Sequence, residues 1–98
     1  MTTSEFTAEV SNPQKSTCCD SVGAWDLDVD IYTQEQASPV VSGEVTVLYR
    51  DGEAQSWGTL DHWVSSELSH WLTEQEEAVR YDVIQSILYA ATEHIKEA

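Results

Sequence analysis

Asp26, Asp28 and Asp30 are the residues whose type and spacing best suit a shared chemistry. They alternate with Trp25, Leu27, Val29 and Ile31, the period-2 pattern of a strand with one face in the core and the other in water. Two residues of strand rise about 6.6 Å, so the three carboxylates are expected to stand in a row at that spacing. Like charges in such a row repel, and Asp is a poor strand former. Folding alone does not favour this choice, which directs attention to binding.

Three chemistries suit the row. Asp-x-Asp-x-Asp matches the opening of an EF-hand calcium loop. The turn glycine and the later bidentate Glu are missing, and Gln34-Glu35 does not restore them. Carboxylates on a flat strand also diverge too far to share one ion, so neither a metal nor a cofactor is expected. The second chemistry is ordinary solvation of an exposed strand face. The third is imitation of nucleic-acid charge. Phosphates of one DNA strand rise about 3.4 Å per step along the axis and also wind around it. Neighbours therefore lie roughly 6 to 7 Å apart through space, close to the alternate-residue spacing of a strand. A row of carboxylates can then occupy Lys and Arg side chains that otherwise hold phosphate.

The charge of the whole chain agrees with that third chemistry. Its 98 residues include 18 acidic side chains against Lys15, Arg50, Arg80 and Lys96, a net charge of −14. Such a balance repels nucleic acid and anionic membranes and attracts a basic surface or a cation. Solubility or adaptation to high salt would raise the charge as well. No apolar run is long enough to span a bilayer. Met1 to Glu5 lacks the basic region and apolar stretch of a secretory signal. Cys18 and Cys19 are adjacent and cannot build a disulfide framework, so a reducing cytosol is expected.

Other reactive residues form no motif. His62 and His70 are eight apart, not in the i, i+4 spacing of HExxH, and His94 falls on a different segment. No zinc-ligand spacing accompanies Cys18 and Cys19. No phosphate-binding glycine loop is present, and no catalytic residue is named, so a non-enzyme is expected.

The elements that must position the row are readable from periodicity. Residues 4–10 alternate and predict a first strand, followed by a turn-rich loop through Pro13. The acidic strand covers 24–33. A third strand over 43–50 leads into Asp51-Gly52, a two-residue hairpin signal, and a short fourth strand over 53–58. This register puts Arg50 opposite Glu53. After Gly58 the period becomes helical: Leu60, Trp63, Val64, Leu68, Trp71 and Leu72 predict one helix over 60–72. Asp61, His62, Ser65, Ser66, Ser69 and His70 form its outer face. Thr73 and Glu76 read as a capping box for a second helix over 74–96, with Tyr81, Ile84, Ile87, Leu88, Ala91 and Ile95 inward. Acids at Glu74, Glu76 and Glu77 suit a helix start, and Glu76 can pair with Arg80.

The expected fold is a single α+β domain over 1–98. An antiparallel sheet of three to four strands is covered on one face by a C-terminal helical hairpin. The other face is open and displays Glu5, Glu9, Asp26, Asp28, Asp30, Glu44 and Glu53. Trp25, Trp63 and Trp71 fall inward. Trp57 falls on the open face by the hairpin count, where it would serve as an interface anchor, unless Gly58 bends the strand and turns it inward.

A short, acidic, tryptophan-containing α+β chain that begins Met1-Thr2-Thr3 and carries the row Asp26, Asp28, Asp30 resembles the small phage-encoded inhibitors of bacterial defence. Among these it is most similar to the acidic anti-CRISPR proteins that target type I surveillance complexes. The resemblance lies in overall character rather than in a motif, so it transfers no individual residue. It implies a stoichiometric DNA-mimic inhibitor in the host bacterial cytosol, with the basic DNA-binding surface of a surveillance complex as partner. An immunity protein or antitoxin that neutralises a basic nuclease would use the same electrostatics. A metal-dependent enzyme and a halophilic housekeeping domain complete the alternatives.

Overall fold

The computed structural model describes residues 6–16 and 23–98. Glu5, Cys18 and Cys19 lie outside the described residues. The fold is α+β, as the periodicities predict. Four antiparallel strands, β1 (Phe6–Lys15), β2 (Ala24–Thr33), β3 (Val41–Arg50) and β4 (Glu53–Gln55), stand in the order β1-β2-β3-β4. Three helices follow: α1 (Leu60–Trp63), α2 (Ser66–Thr73) and α3 (Glu77–Lys96).

The alternation of β2 sorts its side chains as expected. Leu27, Val29 and Ile31 are buried, and β3 adds Val45 and Val47 to the same layer. Trp63, Val64, Leu68 and Leu72 close the core from α1 and α2, and Val83, Ile87, Ala91 and Ile95 close it from α3. α3 packs against both edge strands, β1 and β4, while α2 lies on β3. One helix can reach both edges only if the sheet curls around it, so the concave face holds the core. α2 and α3 thus find their main contacts on the sheet rather than on each other.

Several boundaries differ from expectation for identifiable reasons. β1 does not end at Val10. Its pairing with β2 slips between Ser11 and Gln14 and resumes through Lys15. Asn12, at φ 52°, forms the irregularity, a conformation that Asn tolerates better than most residues. Pro13 survives because β1 is an edge strand. β4 stops at Gln55 instead of Gly58, although its Asp51-Gly52 turn closes in the expected register, with Arg50 opposite Glu53 and Tyr49 opposite Ala54.

The helix expected over 60–72 breaks at Val64 and Ser65. Val64 leaves the helix to form an antiparallel bridge with Val45, and the Ser65 N–H donates to the Glu44 carbonyl at 2.9 Å. The β3 edge beyond β4 competes here for backbone partners and wins. Gly43 permits the close approach: a Cβ at that position would meet Ser65 Oγ at 2.5 Å and Leu68 Cβ at 2.7 Å. Ser69, assigned to the outer face, is buried and donates to Asp61 at 2.8 Å. Thr73 is the last residue of α2, with its hydroxyl on the Ser69 carbonyl, so the capping box is not formed and Glu76 takes the N-cap position of α3. Tyr81 points outward and is 63% exposed, because the buried stripe of α3 runs through Val83 instead.

Candidate interaction face

The open face is built on the β2 register. Across it, Asp30 stands between Glu9 of β1 and Ser42 of β3. Asp28 stands between Ser11 and Glu44, and Asp26 between Gln14 and Thr46. Strands about 4.8 Å apart and alternate residues about 6.6 Å apart place these three rows within roughly 10 by 13 Å. Glu9, Asp26, Asp28, Asp30 and Glu44 are therefore brought together. Glu53 is not. It lies opposite Arg50, beyond the end of β2, and lines an open groove of about 540 Å³ between β4 and α3.

Each aspartate of the row is held by an uncharged donor from a neighbouring strand. Thr46 Oγ1 donates to Asp26 at 2.6 Å, Ser42 Oγ to Asp30 at 2.5 Å, and Asn12 Nδ2 to Asp28 at 2.8 Å. No Lys or Arg pairs with the row among the described residues. Lys96 meets Glu93 at 3.8 Å on α3. Arg80 reaches the Gln75 carbonyl through Nη2 and makes no pair with Glu76, while its Nε is buried without a partner. The hydrogen bonds aim the carboxylates and leave their charge uncompensated.

Tyr32 extends the β2 face past Asp30. Loss of solvation, then the charges of Asp30 and Glu9, push its phenol above the ordinary value. Asp30 and Glu9 thus act together on a neighbouring group.

Trp57 is not a free anchor. It is half-buried beside the core, its indole N–H donates to the Thr46 carbonyl at 2.9 Å, and its ring stacks on His62 with centroids 5.8 Å apart. Trp25 and Trp71 are half-buried rather than fully interior, Trp71 meeting Phe6 edge-on at 5.0 Å; Trp63 is buried.

Asn12, Ser42 and Thr46 are the functional side chains that sequence reasoning missed. Ser42, Glu44 and Thr46 alternate with Gly43 and Val45, a period-2 signal placing them on the open face. Their partners became visible only with the β2–β3 register. Among the described residues, no three His, Cys, Asp or Glu side chains are grouped so as to hold a metal ion. No helix among them is long and apolar enough to cross a membrane. Comparison with protein-family models, with curated proteins and with solved structures finds no match to this chain.

Proposed function

We propose that this chain is a stoichiometric protein inhibitor that imitates nucleic-acid charge and occupies the DNA-binding surface of a basic partner. The observation that carries this reading is the uncompensated row of Asp26, Asp28 and Asp30, held by Thr46, Asn12 and Ser42 instead of by cations. Glu9 and Glu44 widen the row into a patch. Lys and Arg side chains that grip phosphates through charge-assisted hydrogen bonds can grip carboxylates in the same way. A partner approaching this face is steered by long-range attraction, and binding weakens as salt rises. No catalytic turnover is involved.

The partner of choice is a type I CRISPR surveillance complex in the host bacterial cytosol. Trp57 contributes by holding the β3 edge, and Glu53 lies too far from the row to join the contact. The test is competition. Increasing amounts of the chain are added to a purified surveillance complex carrying labelled target DNA, and bound DNA is followed by mobility shift. Displacement saturating near one chain per site supports the proposal. Undiminished DNA binding at large excess overturns the surveillance-complex assignment. If the chain instead inhibits a nuclease encoded beside it, the face serves an immunity protein.

A further inference from the structure

We infer that Trp57, Gly58, Thr59 and His62 form a histidine-operated clasp on the β3 edge, closed when His62 is neutral and loosened when it takes up a proton. The inference does not depend on the binding role proposed above.

The geometry fixes the protonation site. The Thr59 N–H donates to His62 Nδ1 at 3.0 Å. A backbone N–H can only donate, so Nδ1 is bare and the neutral ring carries its hydrogen on Nε2. Any proton gained by His62 must then land on Nδ1, which already uses its single lone pair to accept from Thr59. Charging the ring sets two donors face to face, and the Thr59 bond has to break. The Thr59 hydroxyl, 3.1 Å from the same nitrogen, can accept from the charged ring, so the imidazole has a second position within reach.

The surroundings show that the ring is held closely. Gly58 has φ 63°, and a Cβ there would meet His62 Nδ1 at 2.5 Å. The imidazole lies nearly parallel to Trp57, at an interplanar angle of 19°. The Trp57 indole in turn closes on the Thr46 carbonyl, and the Thr46 hydroxyl holds Asp26. Movement of the imidazole is therefore felt along a continuous chain of contacts ending in the acidic row. Asp26 and Glu44 line an open pocket of about 310 Å³ with His62, and Asp61 precedes it on α1. These carboxylates favour the charged ring, whereas the Thr59 bond and the stack favour the neutral one, so the clasp is placed between opposing influences.

Nuclear magnetic resonance on the isotopically labelled protein tests this between about pH 8 and pH 5, the range in which histidines titrate. At pH 8 the His62 nitrogen shifts should show the Nε2–H tautomer. On acidification, the Thr59 amide and the Trp57 indole N–H, identified with Trp57→Phe, should move with the His62 titration. The exposed His70 and His94 serve as controls. His62→Asn supplies a carbonyl acceptor that does not titrate in this range, so it should abolish the concerted movement. An Nδ1–H tautomer at pH 8 would overturn the clasp. So would a Thr59 amide and Trp57 indole indifferent to His62, or the same movement persisting in His62→Asn.

Discussion

Asp28 and Glu44 lie directly opposite each other in the β2–β3 ladder, and Asp30 lies opposite Glu9 in the β1–β2 ladder. Two like-charged cross-strand pairs in one small sheet oppose folding. A sequence that keeps them departs from local consistency, and such departures gather at functional sites. Glu44→Gln should therefore stabilise the fold by about 0.2–1 kcal/mol, measured by urea denaturation. Binding to the basic partner should weaken in the same variant. A destabilised Glu44→Gln would show that this pair is not frustrated.

Removing the donors separates position from charge. Thr46→Val, Ser42→Ala and Asn12→Ala each keep the net charge and delete one hydrogen bond to an aspartate. Each should cost about 1 kcal/mol of stability. The salt dependence of binding reports the charges engaged, so its slope should stay unchanged while affinity falls. A changed slope would mean that the donors contact the partner themselves.

Tyr32 reports the field of the face. Its phenol is raised by loss of solvation, then by Asp30 and Glu9. Ultraviolet titration should find one tyrosine ionising later than the free side chain, and Asp30→Asn should bring it back toward the ordinary value. The sign for stability follows. The folded state favours the protonated phenol, so this contribution is complete below the unfolded value of about 10. It is lost as pH rises through the folded value. Tyr32→Phe should remove that alkaline loss.

Gly43 sets the seat of α2. A methyl group at this position meets Ser65 Oγ and the Cβ of Leu68, a residue wholly buried in the core. Gly43→Ala should destabilise by about 1–3 kcal/mol through overpacking, seen as a lowered thermal midpoint. An unchanged midpoint would show that Ser65 and α2 yield freely.

How far the sequence could be read follows from which signals were local. The β2 alternation, the Asp51-Gly52 hairpin and the helical period after Gly58 are written in neighbouring residues, and all appear in the fold. The break at Val64–Ser65 is not, because it depends on β3 edge groups some twenty residues away. The capping box at Thr73 failed similarly, since the Thr73 hydroxyl turns back to the Ser69 carbonyl. For the candidate face, the Asp row was legible from period alone. Its donors needed the cross-strand register, and Trp57 needed the turn at Gly58 that returns it to the Thr46 carbonyl and His62.

The most direct measurement compares the wild-type chain with the triple variant Asp26→Asn, Asp28→Asn, Asp30→Asn for affinity to a purified type I surveillance complex. Titrations at several salt concentrations are paired with circular dichroism to establish that both proteins are folded. Loss of three engaged charges should weaken binding at least about tenfold at low salt, equivalent to about 1.4 kcal/mol, and flatten its salt dependence. A folded triple variant with the affinity and salt dependence of the wild type would contradict the assignment of this face.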